Sequence, residues 1–102
     1  MMKRCVLRFE RDNREYNKLY KAKYDIDVCE FLVKWCQNYN DKEKEALYQK
    51  RLTEYQRIFI QERNKFTYYI YKVLNKTIED CNLWWDVPDL NERRVYVRWE
   101  EK

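Results

Sequence analysis

The sequence predicts an α+β fold, with a small antiparallel or mixed sheet that carries helices on one face. The chain has 102 residues, the length of one small domain, so we expect a single domain over residues 1–102. Segments near both ends alternate apolar and polar residues, a pattern typical of strands. Between them, apolar residues recur at the spacing of an amphipathic helix.

The chain begins with a predicted strand. Cys5, Leu7 and Phe9 alternate with polar neighbours, which would place the three side chains on one face of a sheet. A helix is predicted to follow over residues 13–23. Asp12 is its expected N-cap, because a short acidic side chain can accept a hydrogen bond from the first turn.

Two further helices are predicted in the middle of the chain. Glu30 follows Asp27 at the spacing of a capping box, so a helix is expected to begin at Asp27. Residues 42–53 are rich in Lys, Glu, Ala, Leu and Gln, which are good helix formers. We therefore predict a helix over 42–53, with a strand as the alternative.

The second half repeats a similar order of elements. Residues 55–62 contain β-branched and aromatic side chains that are typical of a strand. Helical spacing then predicts a helix over 65–74. Another helix is expected from Thr77, and Pro88 would end it because proline cannot continue a helix. Residues 93–100 alternate strictly and predict a final strand.

An apparent internal repeat accounts for this order. Similar residues recur at a shift of 51 or 52 positions, and Cys29 and Cys81 are one matched pair. We interpret the chain as two related β-α-α(-β) units, about 1–52 and 53–102. A complete repeat would require a strand at 44–51. Chance similarity in a chain rich in Lys, Tyr and Glu is the alternative.

The composition excludes most common catalytic designs. The chain contains no Gly and no His. It therefore lacks glycine-rich phosphate loops, nucleophile elbows, histidine relays and histidine metal ligands. We expect a protein without catalytic activity and without a cofactor. A metal-dependent hydrolase built from carboxylates is the one enzymatic alternative.

The four cysteines are predicted to be small buried hydrophobic residues. They are Cys5, Cys29, Cys36 and Cys81. No C-x-x-C pair is present, and free cysteine is among the most buried residue types. A disulfide between Cys29 and Cys81 and a metal site are the alternatives.

The chain is predicted to act inside a cell and away from membranes. Its uncharged runs are far shorter than the roughly 20 residues that span a bilayer. No apolar stretch follows the basic start Met1-Met2-Lys3-Arg4, so no secretory signal is expected. Partner, oligomeric state and biological role do not follow from the sequence.

A protein or peptide is the first expected partner. Aromatic residues make up 18% of the chain, and Tyr, Trp and Arg are enriched at interfaces. We expect the partner to bind in an aromatic groove between the two units, or at a sheet edge formed by the last strand. The predicted contact residues are Trp84, Trp85, Tyr96, Arg98 and Trp99.

Nucleic acid is the alternative partner. The formal net charge is +4, and basic residues interleaved with tyrosines concentrate in residues 3–23. Basic groups hold phosphates, and aromatic rings can stack on exposed bases. The candidate residues are Arg4, Arg8, Arg11, Arg14, Lys18 and Lys21.

The absence of glycine, the wealth of Tyr and Lys and the length together give one resemblance. In these respects the chain resembles small proteins of the lipothrixviruses, filamentous viruses of hyperthermophilic archaea. The resemblance implies a viral protein in the cytoplasm of an archaeal host. It is also compatible with association of the protein with the virion. It also implies a thermostable domain, which would fit the high charge content and aromatic packing.

Overall fold

A computed structural model describes all residues from Met1 to Lys102 and shows an α+β fold. Two helices and a three-stranded antiparallel sheet make up the protein, so the predicted fold class is confirmed. In chain order the elements are β1 (Met2–Arg8), α1 (Arg14–Asn38), α2 (Lys42–Val73), β2 (Cys81–Asp86), a short 3-10 helix (Leu90–Glu92) and β3 (Arg94–Glu101). Neither helix has a stretch long and apolar enough to span a bilayer.

The chain forms two compact units. One comprises residues 1–17 and 64–102 and holds the sheet, and we call it the sheet unit. The other comprises residues 18–63, and we call it the helical unit because it consists of the longer parts of α1 and α2. These bounds differ from the predicted units 1–52 and 53–102.

The sheet has the strand order β1-β3-β2, with antiparallel pairing on both sides of β3. Alternation places Cys5, Val97 and Trp85 in one row across the three strands. Val95 and Val97 on this face of β3 are buried. We call this buried side of the sheet the inner face.

An aromatic cluster forms the core of the sheet unit. The ring of Phe66 lies 5.2 Å from that of Trp85 and 5.5 Å from that of Phe9, both edge to face. Tyr16 stacks on Phe9 at 5.6 Å. Such pairs contribute about 0.5–1.5 kcal/mol each beyond the area that they bury. The Trp85 indole N–H also donates to the Thr67 hydroxyl over 2.8 Å, which ties α2 to β2.

Helix α1 begins one residue later than expected and continues much further. Its cap is Asn13, whose Oδ1 accepts from the Tyr16 backbone N–H over 2.9 Å, so the prediction of Asp12 is wrong. The helix passes through Asp27 without a break, so a new helix at Asp27 is also wrong. The carboxylate of Asp27 instead pairs with the Lys23 ammonium, one turn earlier, at 3.2 Å.

Each helix is followed by an asparagine whose backbone is in the left-handed conformation. Asn40 follows α1 at φ 53° and Asn75 follows α2 at φ 56°. The backbone N–H of Asp41 donates to the carbonyl of Cys36, and that of Lys76 donates to the carbonyl of Tyr71. These six-to-one hydrogen bonds define Schellman caps, in which asparagine takes the place of the usual glycine.

The helical unit is held by apolar seams. On α1 the buried residues recur at intervals of three and four positions, and they are Leu19, Ala22, Ile26, Cys29, Val33 and Cys36. On α2 the half-buried residues Tyr48, Leu52, Tyr55 and Phe59 follow the same spacing. The Cys29 thiol donates to the Tyr48 carbonyl over 3.1 Å, so the two helices contact each other through these seams.

Two predicted elements of the second half are wrong. Residues 55–62 lie inside α2, because their apolar positions continue the seam that starts at Tyr48. The segment after Thr77 forms β2 and no helix, and Cys81, Leu83 and Trp85 alternate inward as a strand requires. The prediction of a helix over 42–53 is confirmed, and so is the final strand.

The structure does not show the internal duplication. The proposed boundary between residues 52 and 53 falls within α2. The matched residues Cys29 and Cys81 lie in a helix and a strand respectively. The members of this matched pair therefore lie in different kinds of secondary structure.

Candidate functional site

The outer face of the sheet is open and is the candidate site. Because side chains alternate along a strand, every second residue of β1, β3 and β2 points away from the aromatic core. We call this surface the open face. Its residues are Met2, Arg4, Val6 and Arg8 on β1, Arg94, Tyr96, Arg98 and Glu100 on β3, and Asn82, Trp84 and Asp86 on β2.

Strand register groups these residues in rows. Arg4, Arg98 and Trp84 lie side by side across the three strands. The next row contains Val6, Tyr96 and Asp86.

Arg8 and Arg94 form a further row on β1 and β3. The open face therefore places arginine directly opposite arginine twice. Like charges in directly opposed positions destabilise a sheet, so these rows are poor choices for stability alone.

The aromatic rings of the open face are accessible. Trp84 is 42% exposed and Tyr96 is 44% exposed. They border a shallow depression of about 400 Å³, which Arg4, Arg98 and Asp86 also line. The guanidinium carbon of Arg98 lies 5.8 Å from the centroid of the Trp84 ring, within the range of a cation–π contact.

The electrostatic balance of the open face is positive. Four guanidinium groups share the face with two carboxylates, those of Asp86 and Glu100. Arginine stays charged at all relevant pH values. The face therefore combines a permanent positive charge with two exposed aromatic rings.

The structure divides the predicted partner-binding residues between two faces. Trp84, Tyr96 and Arg98 lie together on the open face, whereas Trp85 and Trp99 point to the inner face. Trp85 packs in the aromatic core, and the buried indole N–H of Trp99 has no hydrogen-bond acceptor.

The predicted position of the last strand at a sheet edge is wrong. Tyr96, Arg98 and Trp99 lie on β3, which is the central strand. The two edges belong to β1 and β2. β1 and β3 come from opposite ends of the chain and pair with each other. No local pattern in the sequence reveals this long-range pairing.

The predicted basic residues are also divided. Arg4 and Arg8 lie on the open face. Arg11 lies in the turn before α1, and Arg14 is the first residue of α1. Lys18 and Lys21 belong to the helical unit, where the ammonium of Lys21 pairs with Asp25 at 3.1 Å. The open face therefore contains residues from both predicted sets, the one for a protein partner and the one for nucleic acid.

Six of the eleven residues of the open face belong to neither predicted residue set, and Asp86 and Arg94 are two of them. The sequence predicts that Asp86 lies at the end of a helix that stops before Pro88, and Arg94 alternates with Tyr96 and Arg98 on the final strand. The inward alternation of the residues before Asp86 could have shown β2. The opposition of Arg94 to Arg8 follows only from register.

The four cysteines lie away from the open face, and all are free thiols. Cys29, Cys36 and Cys81 are buried, and Cys5 is half-buried. Burial raises the pKa of each thiol above its ordinary value. The structure contains no cluster of three or more His, Cys, Asp or Glu side chains that could hold a metal ion.

Comparison of the chain with protein-family models, curated proteins and solved structures gives no match. The resemblance to lipothrixvirus proteins therefore stays a prediction.

Proposed function

We propose that the protein binds single-stranded nucleic acid on the open face of its sheet, without catalysis. The observation that carries the proposal is the pair of Arg–Arg rows beside exposed Trp84 and Tyr96. A phosphate group between opposed arginines would relieve their repulsion and accept their hydrogen bonds. The proposal joins members of both predicted residue sets on one surface.

The chemistry of the open face suits a single strand better than a duplex. Exposed rings can stack on bases only where the bases are unpaired and splayed out. Trp84 and Tyr96 would each offer a ring to one base, and base–aromatic stacking contributes about 1–3 kcal/mol per base. The arginines on either side would hold the phosphates that connect those bases.

A peptide partner is less well supported by the same geometry. Addition of a peptide strand needs a free edge, whereas Tyr96 and Arg98 lie on the central strand. The expected groove between two repeated units also loses its basis, since the duplication is not shown. A protein that docks on the open face is the competing outcome of the experiment below.

The test measures binding of fluorescent twelve-nucleotide single strands, one DNA and one RNA, by anisotropy over a range of salt concentrations. We expect binding that weakens as salt rises, with a slope of log K against log salt no steeper than about −2.8 for four neutralised phosphates. Trp84→Ala should weaken binding roughly 5- to 100-fold through lost stacking. The matched control is Tyr68→Ala, which removes an exposed ring from α2, where Tyr68 lies off the sheet.

Three results would count against the proposal. The first is no binding at low salt. The second is equal binding of a duplex of the same sequence. The third is an equal loss in Trp84→Ala and Tyr68→Ala. Failure of both nucleic acids, together with capture of a protein that Trp84→Ala no longer retains, would instead assign the open face to a protein partner.

A further inference from the structure

Helix α1 carries a second apolar stripe on the side opposite its buried seam. Its members follow each other at intervals of four, three, four and four residues, and all are at least 39% exposed. At 100° per residue, they centre about 150° from the seam that contains Ile26 and Val33. We call this surface the α1 stripe. Its residues are Tyr24, Val28, Phe31, Trp35 and Tyr39.

The α1 stripe is unusual for a surface of a small protein. Phe31 and Tyr39 are 67% and 69% exposed. The rings of Trp35 and Tyr39 lie 4.8 Å apart, so they form one continuous patch. Single exposed apolar residues need no explanation, but a contiguous apolar patch marks an interaction site.

We propose that the α1 stripe binds the α1 stripe of a second copy of this chain, with the two helices antiparallel. The spacing of Tyr24, Val28, Phe31 and Trp35 is that of the a and d positions of a coiled coil. Antiparallel pairing about a two-fold axis would set Val28 opposite Phe31 of the second copy. It would likewise set Tyr24 opposite Trp35 of the second copy.

Charge complementarity favours a second copy in this orientation. Asp27 and Lys34 lie on the same flank of the α1 stripe and both are exposed. In the antiparallel pairing, Asp27 of each copy comes within about 3 Å of Lys34 of the other along the helix axis. In a parallel pairing the same two residues would be about 10 Å apart along the axis, from a rise of 1.5 Å per residue.

The size of the α1 stripe also fits a dimer. A fully buried aromatic side chain covers about 150–250 Å². The four aromatic rings of the α1 stripe are roughly half exposed, so together with Val28 they leave about 500 Å² of surface per copy for a partner to bury. Two copies would bury about 1,000 Å², near the lower bound for a specific interface. The charged flank supplies specificity, and the aromatic centre supplies most of the affinity.

The test measures the mass of the full chain by sedimentation equilibrium between about 1 and 200 μM. We expect a reversible dimer. Phe31→Asp should raise the dimer Kd at least 100-fold, because the buried charge would occur twice in a two-fold interface. Ile60→Asp is the matched control, since Ile60 is 60% exposed on α2 and lies outside the α1 stripe. Circular dichroism would verify that both variants keep their helices.

A charge-reversal experiment tests the orientation. Asp27→Lys and Lys34→Asp should each weaken the homodimer, by about tenfold for two rim pairs changed from attraction to repulsion. The chain that carries both substitutions should regain the dimer. An equimolar mixture of the two single variants should give mainly heterodimers in native mass spectrometry.

Three outcomes would overturn the inference. A wild-type monomer at 200 μM would remove the dimer. Equal dimer Kd values for Phe31→Asp and the wild type would show that the interface lies outside the α1 stripe. Charge reversals without effect would exclude the antiparallel pairing. None of these outcomes depends on nucleic-acid binding, because every variant lies in the helical unit and the open face lies in the sheet unit.

Discussion

The guanidinium carbon of Arg93 lies 4.4 Å from the centroid of the Tyr16 ring. The same guanidinium donates hydrogen bonds to the carbonyl oxygens of Phe9 and Glu10 at 2.9 and 2.6 Å, and to Asn17 Oδ1 at 2.7 Å. The Tyr16 hydroxyl in turn donates to the Leu90 carbonyl. One side chain therefore ties the segment after β1 and the first turn of α1 to the start of β3.

We expect Arg93→Ala to destabilise the protein by about 2–4 kcal/mol. It removes three charge-assisted hydrogen bonds and a cation–π contact, whose net contributions are about 1.5–3 and 0.5–2 kcal/mol each. Arg93 is only partly buried, so solvent screens these contacts and the expected loss lies below their sum. Chemical denaturation monitored by tryptophan fluorescence would measure the loss.

A second substitution at Arg93 separates side-chain contacts from backbone strain. Arg93 has φ 59°, a left-handed conformation that costs a residue with Cβ about 1 kcal/mol. Arg93→Gly should therefore be less destabilising than Arg93→Ala by about that amount. If both variants have the same denaturation midpoint as the wild type, the contacts of the Arg93 side chain do not stabilise the fold.

Asp86→Asn should tighten nucleic-acid binding about twofold at low salt. Asp86 lies opposite Tyr96 on the open face, where its carboxylate would repel a phosphate held by the neighbouring arginines. The gain should vanish above about 0.5 M salt, because exposed charges are screened. Glu79→Gln removes the same charge from the loop before β2 and should leave affinity unchanged. Equal gains in the two variants would indicate an effect of net charge alone.

Glu101 should make stability depend on pH in the acid range. The Lys76 ammonium donates to Glu101 Oε1 over 2.9 Å, and this hydrogen bond lowers the pKa of the carboxyl group in the folded state. A lowered folded-state pKa stabilises the protein above the unfolded value of about 4.3. That stabilisation is lost as the pH falls through the folded-state pKa.

Glu101→Gln should therefore lower Tm at pH 7 and leave Tm unchanged at pH 2. Thermal unfolding followed by circular dichroism across this range would show the two curves converge. Glu100→Gln is the control, because Glu100 points to the open face of β3. A constant difference in Tm at every pH would show that the Glu101 carboxylate does not act through its charge.

The thiols should differ sharply in reactivity. Cys36 and Cys81 are fully buried, and burial raises their pKa, so little thiolate forms at pH 8 and reagents cannot reach it. Cys5 is half-buried on β1. We expect a thiol reagent to modify Cys5 in the native protein and all four cysteines in urea. Cys5→Ser should abolish the native reaction, and rapid labelling of Cys81 would contradict the packing of β2.

Local patterns in the sequence predict the first and last strands of the chain, β1 and β3, and the helical character of residues 42–53. They fail where packing overrides propensity. Ile58, Phe59 and Ile60 suit a strand by composition, but Tyr48, Leu52 and Tyr55 continue into them at helical spacing and α2 runs on. A capping box at Asp27 is a local signal only, and α1 continues through it because its buried seam does not stop there.

Individual residues of the candidate site could be predicted from the sequence, but their arrangement on one surface could not. The sequence singles out Arg4, Arg8, Trp84, Tyr96 and Arg98 for two different functions. Their union on the open face depends on β3 pairing with both β1 and β2, a contact between segments distant in the chain. Strand register of this kind follows from tertiary packing, which a single sequence does not display.

The left-handed residues Asn40, Asn75 and Arg93 stand in a chain without glycine. Each adds native-state strain that glycine would avoid, yet a backbone with Cβ at every position also has fewer conformations to lose when it orders. The entropic term that opposes folding grows in proportion to absolute temperature. A chain composed in this way accepts strain at three turns and reduces the conformational entropy that its backbone loses on folding.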